Sequence, residues 1–271
     1  MSRRAPLSTI QLTEPDLELL RFLAEHRFVL AEHAAVLLDR APATARARLA
    51  RLDAAGYVRS AQVLAGQPPM YLITRPGLKV VGSEYEPPRV DMHAYRHDVG
   101  VAWLWLAAQR GTFGPLAEVI AERRLRSHDG ARPSAPDAAE PLGVRLGGFG
   151  PRGHERLHYP DLLVRTADGR RIALELELSS KGRARLETIL IGYGADPRID
   201  GVVYLVDKAA TARSVSEAAR RLGVSSRVHV QRVRLAGAKP SSSHSPSASR
   251  AVASPSRALP ARTDRAQAVA R

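Results

Sequence analysis

The segment HYPDLLVRTADGRRIALELELSSKGRARLETILIGYG, residues 158–194, constrains the fold more than any other stretch. Asp161–Arg165 and Arg171–Leu178 read as two strands around a turn containing Asp168-Gly169. A two-residue loop would pair Ala167 with Arg170, set Asp161 opposite Leu176, and mix apolar and polar residues on both faces. A three-residue loop, Ala167-Asp168-Gly169 with a left-handed glycine at a bulge, pairs Thr166 with Arg170 instead. Leu162, Val164, Ile172, Leu174 and Leu176 then share one face, and Asp161, Arg165, Arg171, Glu175 and Glu177 share the other. A slip of one residue would move every side chain to the wrong side, so the pattern selects the second register.

That register sets Asp161 opposite Glu175, with Glu177 ~6.6 Å further along the same strand. Carboxylates gathered so closely repel one another unless something cationic sits among them. A hard divalent ion such as Mg2+ suits the place, taking one or two carboxylates and completing its shell with water and phosphate oxygens. The alternative is a solvated outer face whose glutamates pair with Arg165 and Arg171. On the repulsion argument, alanine at Asp161 or Glu175 is expected to be neutral or stabilising without metal.

A helix is expected next, capped by Ser179 or Ser180, burying Leu186, Ile189, Leu190 and Tyr193. Lys181 stands at its first turn, near where a phosphate over Glu177 would lie. Gly201–Asp207 reads as a strand, Ala209–Leu222 as a helix and Arg227–Val233 as a last strand. Upstream, His97–Gln109 reads as a helix and Leu116–Glu122 as a strand, while 127–156, rich in Gly and Pro, reads as a long flexible loop.

Ahead of this segment the pattern is helical. Thr13 is an N-cap with Pro15 in the first turn, and Leu17, Leu20 and Leu23 recur at helical spacing. Leu30–Leu38 reads as a second helix. Ala41-Pro42 opens a third, with Ala45, Leu49 and Leu52 on one stripe and Gly56 closing it. Tyr57–Leu64 and Met70–Thr74 are strands around a wing at 65–69, and Thr74-Arg75-Pro76 opens a further helix. Three helices and a hairpin make a winged helix-turn-helix, whose third helix is sized for the major groove of double-stranded DNA. Arg46, Arg48 and Arg51 on that helix are the expected DNA contacts, with Arg59 and Gln67 on the wing as weaker ones.

Composition agrees with a polyanionic partner. The 271 residues carry 41 Lys and Arg against 27 Asp and Glu, a formal net charge of +14. There are no cysteines and no apolar run near the ~20 residues that span a bilayer, so a cytoplasmic protein without a membrane partner is expected. Residues 236–271, rich in Ser, Ala, Pro and Arg, read as a disordered basic tail. The fold class expected is α/β (α+β): a winged helix-turn-helix over 1–90, an α/β domain over 91–235 and the tail over 236–271.

With the winged helix, the histidine-opened helix, HYPDLLV and ALELELSSKGRARLETILIGY on the page, most of residues 10–235 resembles the replication-relaxation family of actinobacterial plasmids and integrated elements. That resemblance implies a role in replication or relaxation of mobile-element DNA, alongside other replication or conjugative-transfer proteins. The second half is also similar to the restriction-endonuclease fold, whose motif is proline-aspartate followed by an acid-x-lysine triplet. Asp161 matches the aspartate and Glu175 the first acid, while Glu177 stands in the lysine place and Lys181 is positioned to imitate a migrated amine. Glu122 matches the additional upstream acid of such nucleases. The resemblance implies a Mg2+-dependent endonuclease or nickase with Asp161, Glu175, Glu177 and Lys181 as its catalytic residues, and Asp161, Glu175 and Glu122 as metal ligands. A non-catalytic transcriptional regulator and a replication or transfer accessory factor are the competing readings.

Overall fold

The computed structural model describes residues 10–63, 66–131, 140–150, 153–179 and 181–234. The tail expected over 236–271 and the tip of the wing at 64–65 lie outside the described residues. The chain is mixed α/β and divides into two compact units. One holds the residues up to Ala107 together with Ala121–Leu142; the other holds Ala108–Ile120 and Gly143–Val233. The division therefore does not fall at residue 91. Among the described residues no helix is long and apolar enough to cross a membrane.

In the first unit α1 (Glu14–Glu25), α2 (Ala31–Leu37) and α3 (Pro42–Ala54) precede the hairpin β1 (Val58–Ala61) and β2 (Met70–Ile73), and α4 (Arg75–Val80) follows. This is the expected order, with a shorter hairpin. Ala45, Leu49 and Leu52 of α3 are fully buried, as their stripe requires, and Gly56 closes the helix with φ +77°. α5 (Tyr95–Gln109) was expected in the second half, yet its Ala102 and Leu106 join the core that α1, α2 and α3 build around Leu19, Leu23 and Leu49. Its Trp105 packs on Phe22 and His26, and its Trp103 on His33. β3 (Leu116–Ala121) ends one residue before Glu122, which instead opens α6 (Glu122–Gly130).

The expected loop at 127–156 is largely structured. α6 runs on to Gly130, and β4 (Val144–Phe149) and β5 (Glu155–His158) form an antiparallel ribbon. Only 132–139 and 151–152 of it lie outside the described residues. Two of the glycines that suggest a loop, Gly147 and Gly148, both have positive φ and lie within β4 where its register shifts.

β6 (Leu162–Thr166) and β7 (Arg171–Glu177) are antiparallel; α7 (Arg183–Ala195) leads to β8 (Gly201–Val206), and α8 (Ala209–Arg221) to β9 (Val228–Arg232). These strands form one five-stranded sheet in the order β3-β6-β7-β8-β9, with β7, β8 and β9 mutually parallel. Each parallel step is bridged by a helix, as a crossover requires. α7 begins at Arg183 with Gly182 as its N-cap, not at the serines, so Lys181 lies in the connection before it. Its Leu186, Ile189, Leu190 and Tyr193 are buried as expected. A Cβ on Gly192 would lie 2.9 Å from the Arg145 carbonyl oxygen, so only glycine lets α7 pass this close to β4.

The first unit buries two histidines, His26 and His33, and burial drives the pKa of each from 6.5 down to about 3. Both stay neutral in the folded state but take a proton readily when unfolded, so their contribution is complete above pH 6.5 and lost as pH falls from 6.5 towards 3. The unfolding free energy is predicted to decline below pH 6.5 with a slope of up to about 1.4 kcal/mol per pH unit for each histidine. Urea denaturation across pH 8 to about 4.5 measures it, and a flat profile would contradict neutral burial.

Candidate acid–lysine site

The hairpin has the expected register. Arg165 pairs with Arg171, Val164 with Ile172 and Leu162 with Leu174; Thr166 N–H donates to the Arg170 carbonyl at 2.9 Å, and Gly169 has φ +86°. Continued one residue beyond the Leu162–Leu174 pair, this register sets Asp161 opposite Glu175. The acids are nonetheless not on a solvated face, because Tyr193 of α7 and His158 of β5 lie over it. Asp161 is 8 % exposed, Glu175 2 % and Glu177 4 %. The glutamates are buried, Arg165 pairs with Glu118, and the acids near the Arg171 guanidinium are Asp196 and Asp200, so the alternative of outer glutamates neutralised by these arginines does not hold.

Each buried acid has partners. Asp161 Oδ2 accepts the Leu176 N–H at 2.7 Å, which ties the start of β6 to β7. Glu175 Oε1 accepts the Tyr193 hydroxyl of α7 at 2.5 Å and lies 2.6 Å from His158 Nε2 of β5. Lys181 Nζ stands 2.5 Å from Glu177 Oε2 and 3.8 Å from Glu175 Oε2. The cationic group demanded by like-charge repulsion is thus partly supplied by the chain's own lysine. Burial by itself would raise the Glu175 carboxyl, but His158, Lys181 and the Tyr193 hydroxyl override it and hold the group below the ordinary carboxylate range. Burial prevails at Glu177 and raises it despite Lys181, whereas the two glutamates overcome burial at Lys181 and raise its ammonium. Tyr204 of β8 is fully buried beside Glu175 in register, and among the described residues its hydroxyl has no hydrogen-bond partner.

Glu122 is not gathered into this cluster. It opens α6 in the first unit, where Arg27 holds it at 3.3 Å and Arg126 at 2.7 Å. Among the described residues no three His, Asp or Glu side chains are grouped to hold a metal ion by themselves. His158, Tyr193 and Tyr204 were not legible as site residues. His158 arrives on a ribbon that composition disguised as a loop, and Tyr193 was readable only as a buried helix residue.

The expected DNA-binding arginines also divide. Asp16 of α1 is fully buried; its carboxylate receives the Thr13 N–H at 2.8 Å, Arg48 at 2.6 Å and Arg51 at 2.5 Å. Burial opposes its charge, yet Arg51, Thr13 and Arg48 together lower its pKa to about 2. Arg48 and Arg51 are therefore clamps between α1 and α3. Arg46 keeps 57 % of its side chain exposed and makes only a 3.8 Å ion pair with Glu32, and Arg59 of β1 is exposed. Gln67 accepts a hydrogen bond from the Gln62 side chain at its carbonyl oxygen.

Compared with family models, curated proteins and solved structures, the chain matches none.

Glu175 ties Tyr193, His158 and Lys181 together, so removing it strands buried donors instead of relieving repulsion. Glu175→Ala is predicted to lower the metal-free unfolding free energy by about 3–5 kcal/mol. Urea denaturation in a chelating buffer decides: a neutral or stabilising effect would return the cluster to a purely repulsive one.

Proposed function

We propose that this chain is a DNA-acting protein of plasmid or mobile-element replication or relaxation. In this reading the first unit carries a winged helix-turn-helix that holds double-stranded DNA. The second unit, restriction-endonuclease-like, handles the phosphodiester backbone. One observation carries the reading: Asp161 and Glu175 share a register position across the hairpin, and the Lys181 ammonium reaches both Glu175 and Glu177. Lys181 thereby does spatially what the lysine of an acid-x-lysine triplet does, although Glu177 fills that lysine's place in sequence.

The residues fit Mg2+ on two counts. Three carboxylates against one permanent cation leave excess negative charge, and the orphaned Tyr204 hydroxyl marks a place for a polar oxygen beside them. Asp161 and Glu175 would hold the ion, with water and phosphate oxygens completing its shell and Glu177 orienting a bound water. Bound there, Mg2+ would supply Lewis acidity and a water of lowered pKa. The chain's own contribution is positional and electrostatic. Tyr193 and His158 hold the Glu175 carboxylate in one orientation, and the Leu176 amide does the same for Asp161. Lys181, kept protonated by its acid neighbours, offers its charge to a phosphate oxygen approaching Glu177. In the first unit Arg46 and Arg59 take the DNA contacts, since Arg48 and Arg51 are engaged by Asp16.

The wild-type protein is predicted to nick supercoiled plasmid with Mg2+, and Asp161→Asn and Lys181→Met to lose at least about 100-fold of that rate while keeping duplex affinity. Arg46→Ala with Arg59→Ala should weaken duplex binding and flatten its salt dependence by about two phosphate contacts. Duplex binding with no nicking in any divalent ion would leave a non-catalytic winged-helix regulator or accessory factor, the outcome favoured if the Lys181–Glu177 pair only neutralises the cluster.

A further inference from the structure

We infer that the β4–β5 ribbon is an arm that engages single-stranded DNA, with Phe149 at its tip stacking on an unpaired base. The inference rests on the DNA reading above and adds a substrate form that the winged helix does not imply. Phe149 is 74 % exposed, the most exposed large apolar side chain among the described residues and the only aromatic of the four such chains. Folding alone gives no reason for this, since burying a phenylalanine stabilises by about 1.5–3 kcal/mol. It occupies the last pair of the ribbon, opposite Glu155, directly after the left-handed Gly147 and Gly148.

The surroundings are chosen for a phosphate chain. Arg156 on the facing strand is exposed, and its side-chain stem runs 3.6 Å from where a Cβ on Gly150 would stand, beside the residue after Phe149. Arg145 is about half exposed; its 3.1 Å ion pair with Glu155 is a surface pair, and such pairs are worth little and exchange readily for a phosphate. A lone aromatic between arginines is the composition of a stacking platform on a basic groove. A protein partner would call for a cluster of apolar anchors, and the tip has one. Duplex DNA would have to be unstacked at a cost of a few kcal/mol before a ring entered, whereas an unpaired base offers its face freely.

The ribbon also links tip to cluster. His158, at the base of β5, touches Glu175, and Glu155 opposite Phe149 is three residues away, ~10 Å along the strand. A single strand whose phosphate lies over the acid–lysine cluster therefore brings a base only a few nucleotides along it to the ring. DNA opened next to the cluster is therefore the substrate this geometry suits.

Binding of the full-length protein to a single-stranded oligonucleotide containing one 2-aminopurine, and to the matching duplex, tests the inference. Wild type should quench 2-aminopurine in the single strand. Phe149→Ala should abolish the quenching and weaken single-strand binding at least about 5-fold, with duplex binding changed less than about 2-fold, and Phe149→Tyr should restore both. Unchanged single-strand affinity in Phe149→Ala, or equal losses on both substrates, would overturn the stacking role. Wild type that binds duplex but not single strand defeats this inference alone; wild type that binds neither defeats the DNA reading beneath it as well.

Discussion

Burying Glu175 in the middle of the sheet is the constraint around which the second unit is arranged. β7 is central in its sheet, antiparallel to β6 and parallel to β8, and Tyr193 of α7 and His158 of β5 lie over the Glu175 carboxylate, which is left with almost no exposure. Such a charge persists inside only if it is paired and hydrogen-bonded. Three separate elements answer that demand: β5 with His158, the connection after β7 with Lys181, and α7 with Tyr193. The contact at Gly192 has the same logic, since α7 must lie against β4 for Tyr193 to reach inward. Packing and electrostatics are here two aspects of one requirement.

The hairpin register was legible because alternation has period two and a glycine at 169 permits the left-handed turn; a single slip would have buried arginines. The depth of the acids was not legible. Alternation separates two faces but does not say which is covered, and the cover comes from Tyr193 of α7 and His158 of β5. The ribbon at 144–158 was misread for a related reason. Its glycines imitate loop composition, while the residues that fix it, Val144 and Leu157, lie among polar neighbours. β5 is only four residues long, too short for a periodic signal.

The arginines of α3 show the limit of reading charge from a helix alone. Three of them point away from the apolar stripe, and outward arginines on a third helix suggest phosphate contacts. The deciding residue lies elsewhere, on α1, where Thr13-x-x-Asp16 reads as an ordinary helix start. A carboxylate that caps a helix and is wholly buried needs neighbouring cations, and Arg48 and Arg51 sit one turn apart on the facing helix. Fold stability thus claims part of a basic surface that composition assigns to a partner. Arg46 and Arg59 remain outward because no buried acid faces them.

Glu177 and Lys181 are best understood as a single exchange. Glu177 adds a negative charge where the cluster already holds Asp161 and Glu175. Lys181, four positions after Glu177, brings its ammonium back to the level of the acid it balances. The same amine is the counterion of Glu177 at 2.5 Å and lies 3.8 Å from Glu175. Glu175 has Tyr193 and His158 besides Lys181, and Asp161 has the Leu176 amide, whereas Glu177 is held by Lys181 at 2.5 Å. Glu177 therefore depends on the lysine more than Glu175 does, and moving that ammonium away would leave a buried carboxylate without its counterion.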